Sequence, residues 1–545
     1  MASRIESGAS KLCAAPKEPD DASALCLPDD VLSSVLALLP QKQRAQAALV
    51  CRRWAGVTRT AAVLWESVEL GLTLPNPHVL ERTECFLAWL IPRARAVAKL
   101  TIAARRDDAA AAAAGGAGSP SGAASLGPLH LQLLWSNLVS ALTLMGPSLR
   151  HLSIEWPDEL QLGAWMATLA ALESASFTAP RIVVRPGLGS LPALTDLRFR
   201  SSKKPLAFAA GHASPRAPNA GNAGGGGGGE PGGAGGASSP AAAALGAPLL
   251  PCQLVKLRLE GCHLTELPAP LSRLTALEDL VLSDNNLQAA RLTMLSRLTT
   301  LQQLTMMGCN MQCLPPTLAA LRNLRVLYLD MGIQAPAPDM PPMHRQCDAL
   351  LGPLQNLGIL SMGACHLQAF PAELACQSSL RALYLDDNSM TSLPAGAYLD
   401  GLHVLGVDWR VLFNSHAVLR HARRLSKLCL MAMGKLEAEA AVATEGDVAA
   451  VVCSLAGHPS LRQVLLPSLD GHRSQLYIAA LNVLIGVSRA QHLEVKAVTY
   501  HGIGNEWLDW LREVEAEEAG GNGCPGAAPL LGRVSSTRVP RRSSP

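Results

Sequence analysis

The feature that most restricts what this chain can fold into is a phased repeat of leucine. Leu254, Leu277, Leu301, Leu324, Leu357, Leu380, Leu402 and Leu425 each open a hexad of the form LxxLxL, at spacings of 23, 24, 23, 33, 23, 22 and 23 residues. Only one interval departs from the period. The ten extra residues there coincide with the Pro-rich stretch from Gln334 to Ala349, which reads as a loop inserted on one face of a repeat. Self-similarity at a period of 20 to 50 residues marks a stacked array, in which one unit cannot bury its own apolar face and its neighbours do so. Eight phased copies argue against a chance match within an Ala/Leu-rich helical bundle, the competing reading.

The hexad has a physical meaning. Alternating leucines such as Leu257 and Leu259 put both side chains on one face of a short strand, where they meet the same positions of the next coil. Three residues on come Cys262, Asn285, Cys309, Cys365 and Asn388, where the chain leaves the strand and a small polar side chain satisfies inward-facing backbone groups. A Leu-Pro or Phe-Pro turn follows at Pro268, Pro315, Pro371 and Pro394. Further hexads open at Leu149, Leu172, Leu194 and Leu461. The whole pattern resembles the leucine-rich repeat, which implies an α/β solenoid, or horseshoe, of short parallel strands. The first repeats are expected over 126–201, the main array over 251–470 and a C-terminal cap over 471–518.

Between these blocks the composition changes. Residues 107–125 and 202–250 are dominated by Ala and Gly, and 519–545 carries Arg533, Arg538, Arg541 and Arg542 among Ser, Pro and Gly with no acid. Such stretches bury too little to offset their chain entropy and are expected to be disordered insertions and a basic tail. The hexaglycine from Gly224 to Gly229 satisfies GxGxxG letter by letter, but it follows no strand and opens no helix, so it is a linker.

The N-terminal block is helical. In LPDDVLSSVLALL (27–39), Pro28 suits a first helical position and Asp29 and Asp30 suit the first turn. Pro40 stops this helix, a second run ends in Trp54, and a third short apolar group holds Val63, Leu64 and Trp65. About 45 residues cannot bury two Trp and so many Leu alone, so part of this surface is expected to face a partner. LPDDVL, ALVCRRW (48–54) and LWESVEL from Leu64 stand in the order and spacing of the F-box, which this segment, 27–70, resembles; 71–106 is then a junction. The resemblance implies docking onto the Skp-type adaptor of an SCF cullin-RING ubiquitin ligase. Carried over by position, Leu27, Pro28, Val31, Leu32, Leu36, Leu49, Val50, Cys51, Arg52, Trp54 and Trp65 form or support the adaptor-binding face. Many members have Asp-Leu where this chain has Arg44-Ala45, which weakens one expected contact. An orphan three-helix cap on the solenoid edge is the structural alternative.

An F-box followed by leucine-rich repeats resembles a substrate receptor that makes no bond itself and works by proximity. A non-ligase scaffold in signalling or ciliary complexes is the other reading. No GxxxxGK[ST], HExxH or GxSxG motif points to an enzyme, and no cofactor is expected. Cys309 with Cys313, or His416 with His421, lack convincing metal-site spacing, so no metal is expected either. A formal charge of +3 implies neither a nucleic-acid partner nor an acidic disordered chain. Fourteen irregularly spaced Cys give no disulfide framework. With no apolar leader and no run long enough to span a membrane, a soluble cytoplasmic or nuclear protein is expected. Hexad residues beside and between the last two Leu point away from the core, toward the concave side. There Arg258, Glu260, Tyr328, Asp330, Tyr384, Asp386 and Asp408 are expected to bind a protein substrate through a basic segment.

Overall fold

The computed structural model describes residues 28–74, 78–106, 128–209, 248–335, 339–430, 445–467, 483, 487 and 493–498. Leu27, residues 107–125, most of 202–250 and all of 519–545 lie outside the described residues. The N-terminal helices are α1 (Asp29–Ala37), α2 (Gln41–Ala47) and α3 (Arg52–Thr60), followed by a 3-10 turn at Ala62–Trp65. Strand β1 (Ser67–Leu74) comes next, then α4 (Val79–Leu90), β2 (Lys99–Arg106) and α5 (Pro128–Met145).

The remaining strands are β3 (His151–Glu155), β4 (Glu159–Leu162), β5 (Ser174–Ala179), β6 (Arg181–Val184), β7 (Asp196–Ser201), β8 (Ala207–Phe208), β9 (Lys256–Glu260) and β10 (Asp279–Val281). They continue as β11 (Gln303–Thr305), β12 (Val326–Tyr328), β13 (Ile359–Ser361), β14 (Ala382–Tyr384), β15 (Val404–Val407), β16 (Lys427–Leu430), β17 (Gln463–Pro467) and β18 (Glu494–Val498). Fifteen of them pair in chain order into one sheet, and β4, β6 and β8 form a second ladder on the return side of the early coils. Every pairing is parallel; Leu257, Leu280, Leu304, Leu327, Leu360, Leu383, Leu405 and Leu428 run in one register line. This is the ladder the hexads predict. All eight main opening leucines are fully buried.

Polar side chains close five of the main coils as their chemistry requires. Asn285 Nδ2 donates to Leu259 O and Leu282 O, each at 2.7 Å, and its Oδ1 accepts from Leu264 N at 3.0 Å. Asn388 repeats the arrangement, and Cys309 Sγ donates to Leu282 O at 3.1 Å from the equivalent place. Just before it the backbone turns left-handed in six successive coils, at Gly261, Asp284, Gly308, Met331, Ala364 and Asp387. Only two of the six are glycine, so the coil geometry imposes the turn on residues that disfavour it.

Several expected boundaries move. The sheet starts in β1, well before residue 126, because Trp65 and Val97 open two further hexads, WESVEL and VAKLTI, in which Val68 pairs with Leu100 and Leu70 with Ile102. Their non-leucine first residues and long spacings hide them from a leucine count. The segment 71–106 is thus part of the solenoid, not a junction. Residues 202–209 also belong to it, with Leu206 buried and β8 paired to β6. The expected loop at 334–349 holds the start of a helix, Met343–Leu351, because Met343, Cys347 and Leu351 fall on one stripe and bury against the core. Beyond 470, β18 pairs with β17 and extends the array.

Candidate functional site

Two surfaces carry the residues singled out from the sequence. In the N-terminal module, Leu32 and Leu36 are 3% and 1% exposed, and with Ala47, Val57, Leu64 and Trp65 they join one core continuous with that of the solenoid. Leu32, Leu36 and Trp65 are therefore core residues that can support a binding face from beneath, a correction to the reading that places Leu32 on its surface. Trp65 shows why: as the opening residue of the first coil it donates from Nε1 to Thr58 O at 2.6 Å and meets Trp89 edge to face, with centroids 4.8 Å apart. The Arg93 guanidinium lies over both rings, 4.8 Å from the Trp89 centroid and 5.6 Å from that of Trp65. These contacts tie the module to the first coil.

The same packing leaves other apolar side chains outside. Leu38 and Leu49 are each 85% exposed and Val50 58%, with Val31, Val35 and Val63 also exposed. They come from α1 (Val31, Val35) and its C-cap (Leu38), the α2–α3 turn and the 3-10 turn. Pro28 and Arg52 are exposed, while Cys51 and Trp54 are half-buried. Cys51 caps α3 by accepting from Trp54 N at 3.5 Å, and Arg53 pairs with Asp29 at 2.8 Å, which fixes α3 against the start of α1. Val35, Leu38 and Val63 were not among the expected contacts. Helical periodicity places Val35 in an apolar run, but only packing shows which side of that run is covered. Arg44 leaves no gap where the resemblance expects an acid: its Nε donates to Leu39 O at 2.6 Å and its Nη1 to Leu64 O.

The second surface is the outward face of the main sheet. Its central row of side chains runs Arg198, Arg258, Val281, Thr305, Tyr328, Ser361, Tyr384, Gly406 and Cys429, one from each of nine successive strands. Parallel register brings the predicted Arg258, Tyr328 and Tyr384 into this single row. The next row changes character along the array: Lys256, Asp279 and Gln303 give way to Val326, Ile359, Ala382 and Val404. These four, with Tyr384, Cys429 and Leu465, make an apolar cluster separate from the main core, and Tyr328 packs on it. The signal for this switch sits in the third residue of each hexad copy, a column that the leucine phase alone does not draw attention to.

Several expected substrate residues are already engaged. Tyr384 is only 7% exposed, and its ring covers Gly406, where an added Cβ would lie 2.5 Å from Tyr384 Cδ1. Arg258 is buried with Asp279 at 3.9 Å, and Glu260 lies 3.9 Å from Arg198. Buried Asp408 accepts from Asp387 N at 2.9 Å and Asn388 N at 3.3 Å, so it holds the left-handed turn of the preceding coil. Asp330 accepts from Gly363 N at 2.7 Å and from the Ser361 hydroxyl, bracing the following coil. Tyr384, Arg258 and Asp408 are thus built into the sheet face and do not stand free as anchors. Half-buried Tyr328, Asp330 and Asp386 remain partly accessible. Burial raises the Asp330 carboxyl above the usual carboxylate range. Asp386 is pushed up to about 7, first by burial and then by the charges of Asp330 and Asp408. Toward the other end of the array, His416 Nδ1 meets Ser454 Oγ at 2.7 Å.

Residues 24–70 match the family model described as F-box-like. The chain carries an F-box-like domain ahead of a leucine-rich repeat array. No curated protein matches the chain. Among solved structures it is similar to an internalin from Listeria monocytogenes, at 16% identity and a TM-score of 0.39, covering 66% of this chain and 82% of that one. It is also similar to a leucine-rich repeat protein of Leptospira interrogans, at 16% identity and a TM-score of 0.42, covering 81% of this chain and 91% of that one. The repeat assignment rests on the strand ladder itself. An F-box-like module fused to such a ladder is a protein-interaction architecture.

Proposed function

We propose that this chain is a non-catalytic substrate-recognition subunit of an SCF-type cullin-RING ubiquitin ligase, acting in the cytoplasm or nucleus. The F-box-like module docks a Skp-type adaptor, and the outward sheet face holds the protein to be ubiquitinated. The observation that carries the first half is the apolar surface of the module. A 47-residue match that seals its own core with Leu32, Leu36 and Trp65 nevertheless leaves Leu38 and Leu49 almost wholly in water. Six exposed apolar side chains on one small module support a protein contact there. Each large side chain covered by an adaptor contributes roughly 1.5 to 3 kcal/mol.

The test is co-purification of the full chain with a Skp-type adaptor. Leu49→Asp with Val50→Asp changes only exposed positions, so the solenoid stays folded, and adaptor binding is expected to vanish. A folded double variant that retains adaptor at the parent's level removes the docking face from these residues. A parent chain that recovers no adaptor leaves the non-ligase scaffold as the working function. For the substrate half, Asp330→Asn with Asp386→Asn is expected to deplete a subset of partners while leaving adaptor recovery intact.

A further inference from the structure

The one long interval of the repeat, from Leu324 to Leu357, changes the side of the solenoid opposite the strands. The three preceding coils carry only a 3-10 turn there, at Ala269–Arg273, Thr293–Arg297 and Pro316–Ala320. The added residues build the helix Met343–Leu351 instead. Because Met343, Cys347 and Leu351 are its buried stripe, His344 and Asp348, one position on, lie along its flank. The helix packs on the short helix Ala372–Ala375 of the next coil. Between them lies a cleft of about 600 Å³, lined by His344, Arg345, Asp348, Phe370 and Glu373.

The charges in this cleft are arranged against the usual rule. Asp348 stands in the last turn of its helix, which holds no basic residue, and its Oδ1 accepts from Glu373 N at 3.1 Å. Glu373 reaches back over the same helix end, where a Cβ on Gly352 would lie 3.4 Å from its Oε2. Two carboxylates thus meet at the negative pole of a helix, the end that favours cations. Among the described residues neither forms an ion pair, although Arg345 is only three positions before Asp348. The His344 ring makes no hydrogen bond there either, and its Nδ1 is buried without a partner. Half-buried Phe370 forms the apolar wall, its ring backed by Tyr398 with centroids 4.9 Å apart. Among the described residues no three His, Cys, Asp or Glu side chains converge as metal ligands do, so these acids do not match a bare ion. A planar cation with N–H donors on several edges and a face that stacks on an aromatic ring does match them; that group is a guanidinium.

We propose that this cleft binds an arginine side chain of a protein partner, with the guanidinium between the carboxylates of Asp348 and Glu373 and its plane against the Phe370 ring. The His344 imidazole, tied to no neighbour among the described residues, turns to accept a further N–H. Exposed Arg345, at the rim, donates to a main-chain carbonyl beside the bound arginine. A protein is the source because the cleft is open: Arg345 and Glu373 are both exposed, whereas a small-molecule site encloses most of its ligand. The site lies on the helical side of the coils, apart from the outward strand face and from the F-box-like module, so it does not depend on the function proposed for either.

The experiment is calorimetric titration of the full chain with three probes: a capped pentapeptide with one arginine between glycines, the same peptide with lysine, and agmatine, a free guanidinium compound. The arginine peptide is expected to bind saturably, and at least about fivefold more tightly than either of the others. Asp348→Asn with Glu373→Gln keeps side-chain shape and the oxygen that accepts from the backbone of residue 373, and is expected to weaken the arginine peptide at least about tenfold. Phe370→Leu keeps an apolar side chain against Tyr398 but removes the ring face, for a loss of about threefold. Arg345→Ala is expected to weaken the arginine peptide and leave agmatine unchanged. Circular dichroism checks that each variant is folded. Absence of saturable peptide binding overturns the proposal, as does undiminished binding to the folded Asn/Gln variant. Equal affinity for the lysine peptide overturns the guanidinium assignment, and equal affinity for agmatine overturns the assignment to a protein.

Discussion

Gly406→Ala probes the outward sheet face most directly. The new methyl carbon would sit 2.5 Å from Tyr384 Cδ1 and 3.4 Å from Cγ, inside any real carbon contact. Cδ1 lies near the root of the ring, so the ring must rotate off the sheet; it cannot merely flex at its tip. Overpacking of this kind costs about 1 to 3 kcal/mol, and lifting the ring also uncovers Val404 and Ala382 beside it. The assay is urea unfolding of the full chain by circular dichroism, with the midpoint shift converted through the denaturant slope. Tyr384→Ala alone is expected to cost about 3 kcal/mol or more, as for other large aromatic truncations. In that background Gly406→Ala should cost almost nothing, because the clash has gone. The double variant is then more stable than the sum of the singles by about 1 to 3 kcal/mol. An unperturbed Gly406→Ala, or strict additivity of the pair, would show that the ring does not rest on Gly406.

Three further outcomes follow from the same geometry. Asp386 has its folded pKa raised to about 7 from an ordinary 3.8, so the folded chain holds a proton that the unfolded chain has lost between those values. Its stabilising contribution is present below pH 4 and lost as pH rises through 7, and Asp386→Asn should raise the thermal midpoint at pH 8 while leaving it unchanged near pH 4; an equal shift at both pH values would disprove the raised carboxyl. Asn285→Ala strips the hydrogen bonds to Leu259 O, Leu282 O and Leu264 N and should cost at least ~2 kcal/mol, whereas Asn285→Cys, copying Cys309, should cost clearly less in the same urea titration. Ala364 adopts φ of +52°, so Ala364→Gly should stabilise by about 0.5 to 1 kcal/mol, the left-handed penalty exceeding the extra unfolded-state entropy; a loss of stability would refute this.

Much of the site is legible without coordinates because a repeat converts sequence period into spatial register. Once Leu257, Leu280 and Leu304 are in phase, parallel pairing must also align Tyr328 with Ser361 and Tyr384. The closing role of Asn285 is equally readable, since a buried turn must satisfy its own carbonyls. The first two coils escape because their hexads open with Trp65 and Val97 instead of leucine. Trp65 consequently looks like part of a binding face, although it opens a core ladder.

Linear information thus suffices for the class and phase of the fold: period, strand face, coil-closing residues and the helical module ahead of them. Each depends on local spacing and on side-chain type. Which outward residues remain available is settled by the stacked coils alone. Leu36 and Leu38 are two positions apart in one apolar run, yet the first is sealed under the module and the second faces water. Tyr328 and Tyr384 occupy equivalent places, but Tyr384 lies down over Gly406, a residue 22 positions away in sequence. Asp330 and Asp408 bond to neighbouring coils, whereas Asp386 accepts from its own backbone N–H. Burial is a property of what the next coil places alongside, so accessibility emerges only when the coils are stacked.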